Sequence, residues 1–314
     1  MFIENGFFQT NKFWKYLVGS FLIISASLIG QSPLIVAIFL KANAMGVDFP
    51  KESEIMNFLD SNTTLFFILL SFAVAFPVIL LVIKYFHKQP IISAITSRAT
   101  IDWGRVFFSF SLWALFVIGS TTIMYFLSPE DFVLNFKPIP FLILSIIGVV
   151  FIPIQTSTEE LVFRGYLMQG FALLAKNRWF PLLMTSIIFG TMHIANPEVE
   201  KMGYVIMFYY IGTGLFLGII TLMDDGMELA LGFHAANNLV TALLITSDWS
   251  AFQTHSILKD TSDPSVGFEL MMPLFIIFPV LLFVFGKKYN WANWKEKLMG
   301  KIDINLETVP ENLE

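Results

Sequence analysis

The chain has no cysteine at all. That excludes disulfides, thiolate nucleophiles and thiolate metal ligands together. Charge is thin as well: Lys, Arg, Asp and Glu make up 14% of the 314 residues, against roughly 25% in an ordinary soluble domain. The formal net charge of -5 gives no basic field, which argues against a nucleic-acid partner. Histidine, the side chain best suited to proton transfer near neutral pH, occurs only four times. No internal repeat, low-complexity block or long linker breaks the chain.

What is present in excess is apolar length. Hydrophobic residues make up 56% and the mean hydropathy is +0.71. Crossing a hydrocarbon core of about 30 Å takes roughly 20 apolar residues, and such runs recur. Eight are read, over 16–40, 65–83, 106–126, 140–156, 180–195, 204–223, 229–246 and 268–285. Lipid offers no partner to the backbone, so helices are expected rather than open sheets. The expected fold is all-α, a polytopic membrane bundle over 1–286 with a cavity open to the cytoplasmic side. Residues 287–314 then form a cytoplasmic tail, interfacial around Trp291 and Trp294 and acidic and disordered beyond Ile302. A second interfacial helix is expected within 84–105. The first run is too long for a signal peptide and reads as a retained helix.

Lys and Arg fix the expected orientation. Thirteen of them, from Lys12 and Lys15 to Lys297 and Lys301, fall in one alternating set of loops, and five in the other. Both termini are therefore placed in the cytoplasm of a prokaryotic inner membrane.

Against this background three polar clusters stand out: Glu159, Glu160 and Arg164; Phe189 and His193; and His234 with Asn237 and Asn238. A charged group at the bilayer centre costs about 2.5–3.5 kcal/mol on insertion scales, so the set marks a wet reaction centre or an ion path. Glu160 and Arg164 are four apart, the spacing of a helical ion pair, and Arg164 would hold Glu160 ionised as structural support. Glu159 is turned about 100° away and suits a general base. The fourth run carries Pro153, which predicts a kink or break near 149–153 and a helix restarted over 155–158. If the run travels inward, both glutamates fall in its cytoplasmic part. Gly165, Gly190 and Gly232 flank the polar groups, where small residues let helices approach.

A Glu, two His and an Asn suit the attack of water on an amide. Glu159 would activate a water also held by His193, while His234 and Asn238 donate to the oxyanion. The ordered motifs Glu159-Glu160-x-x-x-Arg164, Phe189-x-x-x-His193 and His234-x-x-x-Asn238 resemble those of the CAAX-protease and bacteriocin-processing (CPBP, Abi) family of intramembrane endopeptidases. The likeness covers about 140–245, with no departure at a motif position. It implies a helical membrane fold with a conical cavity, and hydrolysis of hydrophobic or lipid-anchored peptides beside membrane lipid. Family members are widely described as metalloproteases, and Glu159, His193 and His234 could make a zinc site. The same residues also serve a metal-free glutamate–water scheme. Two other classes compete: a proton-coupled transporter using the same groups as a relay, and a non-catalytic immunity or scaffold protein of the same fold.

Overall fold

The computed structural model describes residues 1–7, 12–51, 54–264 and 266–302. The acidic tail expected to be disordered beyond Ile302 lies outside the described residues. Eight principal helices follow the apolar runs: α1 (Phe13–Met45), α2 (Ser61–Phe86), α3 (Trp103–Leu127), α4 (Pro138–Ala175), α5 (Trp179–Thr191), α6 (Ile206–Asp224), α7 (Glu228–Leu244) and α8 (Leu270–Lys288). Among the described residues six are long and apolar enough to cross a membrane; α5 and α7 are shorter. The fold is an all-α polytopic bundle.

Local chemistry sets the ends. Asp60 caps α2 by accepting from the backbone N–H of Asn62 and Thr63, and Asp102 caps α3 through the N–H of Arg105, each satisfying donors the first turn leaves free. Pro138 opens α4, where its missing N–H costs nothing. Outward faces are apolar, as with Phe107, Leu115, Phe126 and Phe283, all exposed. Packed together in water such faces would aggregate; in lipid they are solvated. Inside, α1 packs on α2, α2 on α4, α4 on α7, and α7 on α3, while α5 and α6 pair against one another. A Cβ on Gly232 would run into the backbone carbonyl of Val106, so glycine is what allows the α3–α7 contact to close.

Two expectations about local structure are corrected. Pro153 does not break α4, which runs as one α-helix from Pro138 to Glu160. The Thr156 hydroxyl donates to Ile152 O at 3.1 Å, and the Thr158 hydroxyl to Ile154 O at 2.7 Å. Packing on α2 and α7 supports the helix across the proline. The irregularity falls later, as a π-helical stretch at Leu161–Leu167 beside the charged residues, where such widenings often mark functional sites. The second correction concerns 84–105. Instead of an interfacial helix it has the last turn of α2, a 3₁₀ turn at Ile91–Ala94 and a bridge from Thr96 to Gly226. Pro90 and the engagement of Arg98 with Asp224 and Glu228 hold the segment as a strap.

A small sheet sits outside the bundle. Strands β1 (Phe132–Leu134), β2 (Ile245–Ser247) and β3 (Leu258–Asp260) pair in the order β1-β3-β2, antiparallel and then parallel. It ties the α3–α4 connection to the segment after α7. At the other end the first residues and the segment around Gly300 dock. Glu4 accepts from Arg178 at 2.9 Å, and the Arg178 N–H donates to Gly300 O at 3.1 Å. Helix α5 begins at that end and runs away from it.

Candidate active site

The centre forms where α4, α5 and α7 meet, and one buried imidazole organises it. His234 Nδ1 lies 2.7 Å from Glu160 Oε1, and His234 Nε2 lies 3.5 Å from Glu159 Oε2. Neighbouring glutamates on α4 therefore grip opposite edges of the same ring. Glu160 Oε1 also accepts from Arg164 Nη1 at 2.9 Å, both side chains being fully buried. Arg164 in turn donates from Nη2 to Gly214 O on α6 at 3.1 Å and lies 4.6 Å over the Phe189 ring. Glu160 is thus a hub between a cation on its own helix and the histidine of α7, a second contact that its i,i+4 spacing did not announce.

Glu159 is held differently. Its Oε1 accepts from Gln155 Nε2 at 2.7 Å, one helical turn back, while its buried Oε2 has no hydrogen-bond partner. Gln155 Oε1 accepts from Asn238 Nδ2 at 3.0 Å, Asn237 Nδ2 donates to Asn238 Oδ1 at 3.1 Å, and Trp113 Nε1 donates to Asn237 Oδ1 at 3.0 Å. A chain of polar contacts thus runs from α3 through α7 to the carboxylate. From sequence, Gln155 stood only at the expected restart of a helix and Asn237 only among the polar groups of its cluster, neither assigned to Glu159. The overlooked signal was the spacing of Gln155, four residues before Glu159 on one helical face.

His193 follows the last turn of α5. Its Nδ1 is 2.8 Å from Phe189 O; a carbonyl only accepts, so Nδ1 carries a proton, and in the neutral ring Nε2 keeps its lone pair. The Phe189 ring lies 4.8 Å from His193 and 6.0 Å from His234, joining the two imidazoles through an aromatic wall. Glu159 and His234 meet directly, and His193 adjoins them across Phe189. Met192, Ile194 and Tyr204 beside it are exposed, so the site lies next to the surface at the end of the bundle away from the termini. Helix α4 continues past the glutamates to Ala175.

The proposed zinc set fits only in part. Glu159 Oε2 and His234 Nε2 face each other, but among the described residues no group of three or more His, Asp or Glu side chains stands close enough together to hold a metal ion. His234 Nδ1 is also committed to Glu160.

Comparison with known proteins places the segment bearing these residues in a family model. Residues 135–240 match the model of the Rce1-like family, described as type II CAAX prenyl endopeptidase Rce1-like. The matched segment holds Glu159, Glu160, Arg164, Phe189, His193, His234 and Asn238. The chain is also similar to the uncharacterized protein YyaK of Bacillus subtilis (strain 168), 28% identical over 244 residues, covering 77% of this chain and 81% of that protein. No solved structure matches.

Proposed function

We propose that the chain is an intramembrane endopeptidase that hydrolyses a peptide bond of a membrane-associated or lipid-modified peptide, using water activated by Glu159. The observation that carries this reading is the asymmetry of the Glu159 carboxylate. One oxygen is fixed by Gln155, and the other is buried, makes no hydrogen bond and stands 3.5 Å from His234 Nε2. A carboxylate held by one oxygen and without a hydrogen bond at the other is oriented to take a proton from a water placed between it and a substrate carbonyl.

In the reaction, Glu159 removes a proton from water while the oxygen attacks the carbonyl carbon. His193 Nε2 accepts the second O–H of that water and orients it. The carbonyl π pair moves onto oxygen, where Asn238 and His234 Nε2 donate. Asn238 has two amide hydrogens, and Gln155 uses one. Donation by His234 Nε2 needs a proton on both ring nitrogens, each of which faces a glutamate oxygen. Collapse of the tetrahedral species then breaks the C–N bond, and the proton on Glu159 passes to the leaving amine. Losing one oxyanion donor typically lowers the rate about 10²–10³-fold.

The test is cleavage of a farnesylated, internally quenched CaaX-type peptide in lipid nanodiscs. Glu159→Gln is expected to abolish product, and wild-type turnover in that variant refutes the assignment. Turnover that survives exhaustive chelation and is not raised by added zinc supports the metal-free scheme; loss restored by zinc supports the metalloprotease description. Partners in this reading are membrane lipid and the hydrophobic or lipid-anchored peptide.

For topology we place both termini in the cytoplasm of a prokaryotic inner membrane, on the distribution of Lys and Arg. The His193 end then faces the opposite side. With no native cysteine, Met192→Cys and Tyr204→Cys can be probed individually with an impermeant maleimide. Labelling from outside supports this arrangement, whereas labelling from the cytoplasmic side alone restores the opening expected from the sequence.

A further inference from the structure

Tyr210 has no place in the sequence motifs, yet its ring meets His193 more closely than any other ring does. The two are stacked with centroids 4.4 Å apart and planes 22° from parallel, while Phe189 approaches at 4.8 Å with a 51° tilt. The His193 imidazole is therefore held between two aromatic rings, one from α5 and one from α6, with Nδ1 tied to Phe189 O. This clamp matters because His193 follows the end of α5, where the backbone runs as turns to residue 195. A side chain on such a segment lacks the rigid support that helices give the glutamates and His234.

Tyr210 is itself anchored. Asn196 Nδ2 donates to its hydroxyl at 3.4 Å, and the Asn196 N–H donates to His193 O at 3.0 Å, so the turn bearing His193 is tied back to the ring that holds it. The short helix that follows, Pro197–Met202, is pinned by Glu198 Oε1, which accepts from Ala251 N at 2.7 Å. The tie reaches the loop between β2 and β3, and it keeps the turn from swinging away from α6.

We propose that Tyr210 is a positioning residue for the hydrolytic reaction: by stacking on His193 it fixes the plane of the imidazole, so that Nε2 points to the water that Glu159 activates. The inference rests on the function proposed above. Stacking, rather than the phenolic hydroxyl, carries the effect, because the hydroxyl faces Asn196 and the ring face covers His193. Phenylalanine should therefore replace tyrosine and leucine should not.

The experiment pairs spectroscopy with kinetics on the full chain in nanodiscs. With four histidines in all, ¹⁵N-histidine NMR resolves each ring, and His193→Gln identifies the signal. Wild type and Tyr210→Phe are expected to show a single Nδ1-protonated tautomer for His193. Tyr210→Leu is expected to show exchange broadening or a mixture of tautomers, with the His234 signal unmoved. On the farnesylated peptide, Tyr210→Leu should lower kcat about 10–100-fold, the scale of a small misplacement of a reacting group, with KM within about twofold and Tyr210→Phe near wild type. An unchanged His193 spectrum in Tyr210→Leu overturns the inference, as does wild-type kcat where His193→Ala is inactive. Full activity in His193→Ala instead removes the functional reading of His193 itself, so the two failures are distinguishable.

Discussion

Replacing Arg164 by Met is the sharpest test of how the centre is held. Arg164 and Glu160 are fully buried and joined at 2.9 Å, and Arg164 also serves Gly214 O. Methionine removes the cation and both hydrogen bonds but keeps an apolar stem of similar reach. Glu160 would then be a buried carboxylate with only His234 against it. Breaking one partner out of a buried pair costs about 3–5 kcal/mol; the remaining His234 contact places the expected loss near about 3 kcal/mol. The assay is reversible unfolding in mixed micelles or steric trapping in bicelles, with circular dichroism to verify helix content. The companion variant is Glu160→Gln with Arg164→Met. It removes the stranded charge yet keeps an oxygen for His234 Nδ1, and it should recover at least half of the loss, because removing both charges avoids the uncompensated one. A cost under about 1 kcal/mol for Arg164→Met, the range of exposed pairs, would refute the reasoning. So would a double variant no more stable than the single one.

Three further outcomes are expected. Gln155→Leu frees Glu159 Oε1 and strips Asn238 of its acceptor, so kcat on the farnesylated peptide should fall about 10–100-fold with little change in KM; a wild-type rate would show that Gln155 does not orient the base. Trp113→Phe strands Asn237 Oδ1 and should cost about 1–3 kcal/mol in the same unfolding assay while cleavage stays within a few-fold. His87, just beyond α2, accepts or donates at 2.8 Å with the Tyr166 hydroxyl, and burial, aided by Lys15, lowers its pKa from 6.5 to about 4. Between those values the unfolded chain binds the proton and the folded chain does not, so stability should be full above pH 6.5 and fall as pH drops towards 4. His87→Gln should flatten that acid limb; an unaltered slope in equilibrium unfolding from pH 7 to 4 would dismiss the assignment.

Much of the architecture was legible because lipid simplifies the problem. A run such as 106–126 has to be helical once it enters hydrocarbon, and α3 spans Trp103–Leu127. The strap at 84–105 was misread because its residues are polar with an Ile-Ile patch, a pattern that suits an interface as well as a docked loop. What holds it is Arg98 reaching Asp224 and Glu228, a contact between distant parts of the chain. Pro153 misled for a related reason: its local penalty is real, but packing on neighbouring helices absorbs it.

By itself the sequence determined the helical membrane architecture and the identity of the polar groups, since insertion cost and the spacing of i,i+4 pairs are local properties of a chain in lipid. Only the tertiary structure decided how those groups are shared. It put both glutamates on one imidazole, gave Glu159 its tether in Gln155, and stacked Tyr210 against His193. Each of these contacts depends on the relative rotation of helices, which is set by packing at close approaches such as Gly232 against Val106, and no periodicity within a single helix encodes it.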